Sequence, residues 1–376
     1  MRILVLTLDL AGNWPPELQL IRVLCRRGHE VRVVSSDGHQ AAVESAGARF
    51  EPFQFAAGFD SNARYDWAES EQIRVTREVL LNTAYADELQ AAIERERPDL
   101  LLLDQVLFLS FPAAEASDIP FVLMAHSLLG ASRARPFPPF FAQAINAARE
   151  RVQLEPIEGP ETMHGRSAIL DFTYAELDTP FSPPLEDLHY VGPLLDQHAA
   201  PAFELPWPND DSRPLILVSF SSGFQNQAEQ LGRVVDALSS LPVRALVTLG
   251  HAILPSEIRT GPNVVALPFV PHASVLPKAS LVITHAGHGT TIAAATAGIP
   301  LLCMPMGRDQ FMVSAAAKRV GIAEVISMDA TSKEIALAVS AALADEELSS
   351  EARAFAARQD VDAGRRLAVD VIERLG

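Results

Sequence analysis

Cysteine is nearly absent from this sequence, which has only two among its 376 residues. Cys25 and Cys303 both fall in apolar segments, a pattern typical of reduced core thiols that gives no disulfide framework. We therefore expect a cytoplasmic location for the protein. Basic residues are also few, because 30 lysines and arginines against 47 acidic residues leave a formal net charge of -17. This balance argues against a general nucleic-acid-binding surface, and a phosphorylated ligand would have to be held by local dipoles.

Long apolar runs are missing as well. No uninterrupted apolar segment reaches the length of a membrane span, and the first run is interrupted by Asp9. That run also lacks the charged region and cleavage site of a signal peptide, so we expect a strand there and no integral membrane association. The composition, 48% apolar and 20% charged, is that of a folded globular protein, and the length favours two domains.

The most informative stretch begins at Ser280 and reads SLVITHAGHGTTIAAATAGIPLLCMPMGRDQ. Leu281–Thr284 has the length and apolarity of a buried strand, residues 290–297 are alanine-rich like a helix, and residues 301–304 resemble another strand. Gly298 suits the left-handed end of the helix, and the proline that follows prevents its continuation. The stretch therefore predicts a strand, a glycine loop, a helix and a strand.

This unit predicts a phosphate site. A right-handed crossover makes the two strands parallel, so His285 and Asp309 would share one edge of the sheet. Gly287 and Gly289 lie between them and allow the backbone to approach a ligand, while the unpaired amides of the helix start carry partial positive charge. The loop is neither a Walker A sequence nor the GxGxxG of a dinucleotide fold.

The motif HAGHGTT, followed by a glycine and a proline and then PMGRDQ, resembles the donor-binding signature of nucleotide-sugar-dependent glycosyltransferases. That family includes macrolide, glycopeptide and plant natural-product enzymes. The phrases RRGHEVRVVSS at 26–36 and YVGP at 190–193 resemble other parts of the same family. The resemblance implies an α/β protein with two Rossmann-like doubly wound domains facing across a cleft, the GT-B architecture, with ligands at the carboxyl ends of the strands.

The resemblance also implies roles for residues of the donor site. The loop histidine and the hydroxyl residue after the second glycine would contact the diphosphate, and the Asp-Gln pair would bind hydroxyls of the sugar. Phe269 and His272 occupy positions that contact the base in relatives, although a core phenylalanine and a surface helix cap remain the alternative. The implied donor-binding residues are His285, Gly287, Gly289, Thr290, Thr291, Asp309, Gln310, Phe269, His272 and Ser222.

Domain boundaries follow from composition and from the resemblance. Residues 195–213 are rich in proline and acidic residues and lack periodicity, as linkers do. We therefore expect an N-terminal acceptor-binding domain at 1–194 and a nucleotide-sugar-binding domain at 214–350. A C-terminal helix at 351–376 is expected to pack back on the N-terminal domain, as is common in this fold.

Aromatic residues of the first half are the candidates for the acceptor pocket. The resemblance places Trp14, Trp67 and Phe137 on the acceptor side, and ordinary core and loop packing is the alternative interpretation. Phe137 follows two arginines, a combination that can lie on a membrane. One segment without a sustained basic amphipathic helix supports that reading only weakly, and a pocket wall or lid is favoured.

The general base is the point at which this sequence departs from the family. In most relatives a histidine follows the glycine of the first loop and pairs with an aspartate at the end of a later strand. Here Asn13 follows the glycine, and its amide has no useful basicity near neutral pH, while Asp104 matches the aspartate. Four explanations remain open: Asp104 is the base, Asp9 or His126 serves instead, the acceptor is acidic enough to need none, or catalysis is lost.

No metal or cofactor is expected beyond the nucleotide sugar, which is a co-substrate. The spacing of His285 and His288 invites a zinc interpretation, but no further ligand stands at a suitable spacing and no acidic triplet lies near the loop. The glutamate that often binds ribose in relatives falls on Ala293, which leaves the choice between UDP and TDP donors open.

These observations together predict an inverting, metal-independent glycosyltransferase with a nucleoside-diphosphate sugar donor and a small hydrophobic acceptor. Inversion is implied by the resemblance alone. The alternative, motivated by Asn13, is a catalytically silent glycosyltransferase-like binding or auxiliary protein that keeps the donor site.

Overall fold

The computed structural model describes most of the chain, namely residues 1–8, 10, 12–57, 59, 75–133, 139–157, 167–180, 185, 187–194, 203–221, 225–251 and 253–376. The chain divides into two compact units. One unit contains the described residues up to 194 together with 361–376, and the other contains those from 203 to 360.

The first unit is built on parallel strands. The strands are β1 (Arg2–Leu6), β2 (Glu30–Ser35), β3 (Arg49–Pro52), β4 (Leu100–Asp104), β5 (Phe121–Ala125), β6 (Ala168–Asp171) and β7 (Leu188–Tyr190). They form one sheet in the order β3-β2-β1-β4-β5-β6-β7, and every pairing is parallel. The helices are Trp14–Arg26, Gln40–Ser45, Ala84–Glu96, Phe111–Ala116, Leu129–Arg133, Pro139–Arg151 and Val361–Leu375, with short 3-10 or π segments at Asp37–His39, Thr76–Leu80 and Gln105–Ser110.

The apolar runs of the central strands are explained by burial on both faces of this sheet. In β4, Leu101 and Leu103 belong to one hydrophobic core, while Leu100 and Leu102 belong to another. Successive side chains of a strand point to opposite faces, so a sheet covered on both sides needs a nearly continuous apolar sequence.

The second unit has the same plan. Its strands are β8 (Leu215–Ser219), β9 (Arg244–Thr248), β10 (Val264–Leu267), β11 (Leu281–Thr284), β12 (Leu301–Cys303) and β13 (Ala323–Val325). They pair in parallel in the order β10-β9-β8-β11-β12-β13. The helices are Ala228–Ser239, His272–Val275, His288–Ala297, Gln310–Arg319, Ser332–Ala344 and Glu346–Ala357, with single turns at Pro255–Glu257 and Leu276–Lys278.

Each sheet reverses its strand order once, between β1 and β4 in the first unit and between β8 and β11 in the second. Ligands of open parallel sheets bind beyond the carboxyl ends of the strands at this switch point. The α/β class with two Rossmann-like sheets is thereby confirmed. The switch point of each sheet is a candidate site for ligand binding or catalysis.

The C-terminal segment consists of two helices in different units. Glu346–Ala357 belongs to the second unit, and Val361–Leu375 packs on helix Trp14–Arg26 within the first. Arg27 and Glu373 join the latter two elements by an ion pair of 2.7 Å between Nη2 and Oε2. Among the described residues, no helix is both long and apolar enough to span a membrane.

Candidate active site

The turn that follows β11 is the first candidate. Ala286 has a left-handed backbone with φ of 65°, and its amide donates to Oγ1 of Thr284 at 3.2 Å. Gly287 is then the N-cap of helix His288–Ala297 and has no side chain with which to cap it. The first amides of a helix lack backbone partners and carry partial positive charge, so this turn suits an anion.

The His285 imidazole lies beside this helix start. The side chain is buried, and burial lowers its pKa to about 4, although a hydrogen bond to the Ser219 backbone opposes the shift. The ring is therefore neutral near pH 7 and offers an N–H donor without a charge. A Cβ atom at position 287 would lie 2.6 Å from Nε2 of this ring, so Gly287 leaves room that any other residue would fill.

The residues of the first turn of this helix differ in solvent exposure. Gly289 is exposed and Thr290 is half-buried, with Oγ1 of Thr290 lying 3.4 Å from Oγ of Ser219 at the end of β8. Thr291 is fully buried, and its Oγ1 has no hydrogen-bond partner within the described part of the chain. Gly289 and Thr290 are thus placed where a ligand can reach them, and Thr291 faces the interior.

Asp309 and Gln310 occupy different environments. Gln310 is buried, and its Oε1 accepts from the amides of Met306 at 2.8 Å and Gly307 at 3.1 Å. Its Nε2 donates to Oε1 of Gln225 at 2.9 Å. Asp309 is half-buried, and burial raises the pKa of its carboxyl. Both ends of the Gln310 amide therefore hold protein loops together, a role that the sequence motif did not indicate.

Phe269 and His272 follow β10, at the same end of the second sheet. The Phe269 ring is 76% exposed, which is unusual for so large an apolar side chain. His272 begins helix His272–Val275 and is half-buried, and burial lowers its pKa. The interpretation of Phe269 as a core residue is therefore excluded, and an exposed aromatic face is available for stacking.

Several predicted positions fall elsewhere. Asp9, Trp67, Phe137 and Ser222 lie outside the described residues. Trp14 stacks on His39, with ring centroids 3.7 Å apart and planes 7° from parallel, so one face of its indole already has a protein partner.

The switch point of the first sheet brings Asp104 and Asn13 together. Asp104 ends β4 and is fully buried. Its Oδ1 accepts from the amide of Val106 at 3.0 Å, and its Oδ2 accepts from Nδ2 of Asn13 at 3.4 Å. The asparagine thus keeps a hydrogen bond to the aspartate while offering no basic atom.

A second pair, Glu17 and His126, lies at the same switch point. Nε2 of His126 is 2.8 Å from Oε1 of Glu17, and the hydroxyl of Thr7 donates to Oε2 of Glu17. The sequence motifs indicate His126 but not Glu17. The sequence pattern could have indicated Glu17. This residue lies on the face of helix Trp14–Arg26 that also buries Leu20, Ile21 and Leu24, and an acidic residue on such an apolar face is unusual.

Burial controls the protonation of this cluster. Burial raises the pKa of Glu17 to about 8, against hydrogen bonds with Thr7 and Asp104. Burial and the Glu17 charge raise the pKa of Asp104 to about 7, and burial lowers the pKa of His126 to about 4. The protonation states of Glu17, Asp104 and His126 are therefore coupled, because the three groups are buried next to one another and titrate as one system.

Ligand atoms of Glu17, Asp104 and His126 lie within 4.8 Å of one another, a spacing that could also hold a cation. The four carboxylate oxygens, however, each already meet a protein group: His126 and Thr7 at Glu17, Val106 and Asn13 at Asp104. Hydroxyl and amide N–H groups pointing at the oxygens favour a hydrogen-bonded cluster.

Two family models match separate parts of the chain. Residues 232–366 match the family described as Erythromycin biosynthesis protein CIII-like, C-terminal domain, and residues 18–154 match Glycosyltransferase Family 4. The oleandomycin glycosyltransferase of Streptomyces antibioticus is 25% identical, over 96% of this chain and 88% of that protein. The NDP-glycosyltransferase YjiC of Bacillus subtilis is 23% identical, over 91% of this chain and 89% of that protein. An uncharacterized UDP-glucosyltransferase of the same organism, YojK, is 28% identical but over only 36% of its length.

Solved structures show the same fold. The glycotransferase of kitacinnamycin has a TM-score of 0.81 at 22% identity, covering 100% of this chain and 98% of that one. The calicheamicin glycosyltransferase CalG4 has a TM-score of 0.80 at 22% identity, with coverage of 100% and 98%. The two Rossmann-like units together with these structural matches show the GT-B fold. Over most of its length the chain is similar to nucleotide-sugar-dependent natural-product glycosyltransferases, which are enzymes of sugar transfer.

Proposed function

We propose that this protein is an inverting, metal-independent glycosyltransferase that moves a sugar from a UDP or TDP donor to a small hydrophobic acceptor such as a natural product. The observation that carries the proposal is the turn after β11, where His285, Gly287 and Thr290 lie at the start of helix His288–Ala297. A relative named as an NDP-glycosyltransferase and another named as an oleandomycin glycosyltransferase support the donor and acceptor classes.

The leaving group is a nucleoside diphosphate, on which negative charge builds as the bond to the sugar breaks. Preorganised N–H and O–H groups stabilise such charge most effectively where water is excluded. The helix amides, the Thr290 hydroxyl and the neutral His285 ring supply these donors. They suit a chain whose net charge is -17, because dipoles can bind an anion without any excess of basic residues.

Recognition of the rest of the donor is assigned to groups at the same end of the second sheet. Asp309 would accept hydrogen bonds from sugar hydroxyls, since its carboxylate is half-buried and close to the helix start at Gln310. Phe269 would stack on the base. Gln310 would act through the loops that it holds, because its amide is engaged at both ends.

Metal independence is supported by the character of the donor loop. Its candidate ligands are N–H and O–H donors, which neutralise a diphosphate without a cation. Treatment with EDTA should leave the rate unchanged if this is correct, and restoration of a lost rate by Mg²⁺ would contradict it. We also propose a cytoplasmic location, because both cysteines are free thiols.

Calorimetric titration tests the donor site directly. UDP-glucose and TDP-glucose are titrated into the wild type, His285→Ala, Thr290→Ala and the matched control Thr296→Ala. Thr296 lies in the same helix but donates back to the carbonyl of Ile292 at 2.7 Å, away from the turn. We expect weaker binding in the first two variants and unchanged binding in the control. Equal affinities in all four proteins would reject this placement of the diphosphate.

Stereochemistry and turnover are tested with the same donors and a panel of phenolic and polyketide acceptors. The anomeric configuration of the product, read from proton couplings by NMR, should be inverted relative to the donor. A retained configuration would contradict the proposed course of the reaction.

A second candidate function is a silent donor-binding protein, because Asn13 removes the imidazole that most relatives have at this position. Donor binding without transfer and without donor hydrolysis, across the whole panel, would favour it. General base assistance contributes about 10² to 10⁴ in rate, so the loss of a base alone slows transfer without abolishing it.

A further inference from the structure

We propose that the acceptor of this protein is a phenol, held by Phe140 and Phe141 at the first sheet and acidic enough to react as its phenolate without a general base. The inference rests on the proposed transfer function and deepens it by naming the acceptor class. Two independent features of the first unit support it, namely a row of aromatic rings and the burial of every acid and imidazole at the switch point that the structure describes.

Three phenylalanine rings form a row that leads from the core to the surface, and we call Phe108, Phe141 and Phe140 the aromatic row. Phe108 is buried in the segment Gln105–Ser110, and its ring centroid lies 5.5 Å from that of Phe141, with the planes at 80°. The centroid of Phe141 lies 4.4 Å from that of Phe140, with the planes at 38°. Phe140 is 46% exposed. The row therefore ends in an aromatic surface that other protein rings hold in place.

The aromatic row lies where ligands of open parallel sheets bind. Phe108 belongs to the segment directly after β4, and β4 is one of the two strands at the switch point of the first sheet. Phe140 and Phe141 are adjacent and both partly exposed, so they form a continuous apolar surface and not a single exposed side chain. This surface suits a flat apolar ring that carries a hydroxyl, because aromatic rings pack favourably on one another.

The groups that could take a proton from the acceptor are not accessible to it. Glu17 and Asp104 are fully buried, and each of their four oxygens already meets a protein group. In His126, Nε2 is occupied by Glu17 and Nδ1 is itself buried. Asn13 is half-buried, but its amide has no basic atom. Within the described residues, these four side chains of the switch point therefore offer no accessible base.

The acidity of a phenol makes such a base unnecessary. A phenolic hydroxyl has a pKa of about 10, so about one molecule in 10³ is ionised at pH 7. An aliphatic hydroxyl resembles water, with a pKa of about 15.7, and its ionised fraction is smaller by roughly 10⁵- to 10⁶-fold. A phenolate is a weaker nucleophile than an alkoxide, so only part of this difference reaches the rate. The part needed is no more than the factor of about 10² to 10⁴ that a general base contributes.

The proposed step balances without a proton acceptor on the protein. The phenol releases its proton to water, and the phenolate oxygen forms a bond to the anomeric carbon. The bond from that carbon to the diphosphate breaks, and its electron pair leaves with the diphosphate. Phe140 and Phe141 hold the acceptor ring and take no part in the proton transfer.

Rates with phenols of graded acidity test the absence of a base. The kcat/KM for para-methoxyphenol, para-chlorophenol and para-nitrophenol is measured from about pH 6 to about pH 10, with UDP-glucose or TDP-glucose as the donor. We expect kcat/KM to rise with pH and to level off near the pKa of each acceptor, so at lower pH for the more acidic phenol. A profile that levels off at the same pH for every phenol would reveal a base on the protein, Asp9 included, and would overturn the proposal.

The protein's own titrations do not imitate this result. The titratable groups at the switch point are Glu17 from the first helix, Asp104 from β4 and His126 after β5. Tyr85 adjoins Asp104 from helix Ala84–Glu96, and burial together with the Asp104 charge raises its pKa. Any change that these groups cause is common to all acceptors, whereas ionisation of the phenol moves with the acceptor.

A pair of matched acceptors and one variant test the aromatic site. Naphthol and decahydronaphthol, with the hydroxyl at the same carbon, share a skeleton, but only naphthol is a phenol and it should react at least about 10²-fold faster. Phe140→Leu keeps an apolar side chain without the ring, and it should raise the KM for naphthol about 2- to 13-fold with kcat and the donor KM unchanged. The control Leu375→Ala changes a 38% exposed position of the same unit and should keep the wild-type KM. Equal rates for the two alcohols, or a wild-type KM in Phe140→Leu, would overturn the proposal.

Binding separates this inference from the proposed function. Calorimetric titration of naphthol into the wild type and Phe140→Leu needs no turnover, and we expect weaker binding in the variant. Absence of transfer with every donor and acceptor would reject the proposed function, while the titration still decides whether the aromatic row binds a phenol. Transfer by the wild type, combined with equal naphthol affinity in both proteins, would overturn the inference and leave the proposed function standing.

Discussion

Oε1 of Glu17 and Nε2 of His126 lie 2.8 Å apart, although the two residues are separated by 109 positions in the chain. Neither side chain is more than 5% exposed. A carboxyl, an imidazole and the neighbouring Asp104 are thus buried at the switch point of the first sheet, and the stability of the protein should depend on their protonation.

We predict that the protein loses stability as pH rises from about 6.5 to 8, and that the loss levels off above pH 8. The folded pKa of Glu17, raised by burial to about 8, lies above an unfolded value of about 4.3, so the folded state holds a proton that the unfolded state has released. The stabilisation is complete below the unfolded pKa and is lost as pH rises through the folded one. Asp104 acts in the same direction, with a folded pKa of about 7.

Denaturant unfolding at several pH values measures this slope, which is at most about 1.4 kcal/mol per pH unit for one group. Glu17→Gln should show a shallower dependence on pH, because its amide does not titrate. Ionisation of His126 does not interfere, since its lowered pKa affects stability only below neutral pH. Parallel slopes for the two proteins would show that Glu17 is not the titrating group.

Gly287→Ala should weaken donor binding. The added Cβ would lie 2.6 Å from Nε2 of His285 and would displace the ring from its place beside the helix start. Calorimetry with UDP-glucose and TDP-glucose measures the loss. Gly232→Ala is the control, because its Cβ meets nothing within 4 Å in helix Ala228–Ser239, and it should bind normally. Wild-type affinity in Gly287→Ala would show that the imidazole position does not matter.

Gln310→Ala should destabilise the second unit. It leaves the amides of Met306 and Gly307 and the Gln225 side chain without their partner, and each unsatisfied buried group costs about 1 to 3 kcal/mol. Hydrogen exchange at Met306 and Gly307 should accelerate along with the lower unfolding midpoint. Unchanged stability combined with altered preference among hexose donors would instead indicate direct sugar contact. Gln359→Ala, in the same unit, provides a glutamine control.

Phe269→Ala should reduce donor affinity without changing stability. The ring is 76% exposed, so little packing is lost, whereas stacking of a base on an aromatic ring is worth about 1 to 3 kcal/mol. Leu337→Ala, at a 63% exposed position, is the control for stability. Calorimetry with UDP and TDP compares the two variants. A change in unfolding free energy as large as the change in binding would refute an exposed stacking role.

Much of the donor site could be predicted from the sequence because its parts are close along the chain. The strand Leu281–Thr284, the turn at Gly287 and the helix ending before Gly298 follow from apolar runs, glycines and a proline. Their order alone places His285 at the carboxyl end of a parallel strand. The family motif added roles that local chemistry could not supply, and the confirmed fold agrees with it.

Gln310 shows where such reasoning stops. The motif assigns the Asp-Gln pair to one function, but the structure turns Gln310 toward Gln225, 85 positions earlier, and leaves Asp309 half-buried. Adjacent residues at a helix start point in different directions, and which of them meets a ligand depends on the loop packed against the helix.

The sequence by itself determined two doubly wound units, a helix start suited to a diphosphate and the absence of the usual histidine at Asn13. Only the tertiary structure decided that Glu17 and His126 meet, because parallel pairing of β1 with β4 and β4 with β5 gathers distant loops at one edge. Apolar patterns specify which residues are buried, but they do not say which buried polar groups will become neighbours. The order of the strands in the sheet decides which of these polar groups become neighbours.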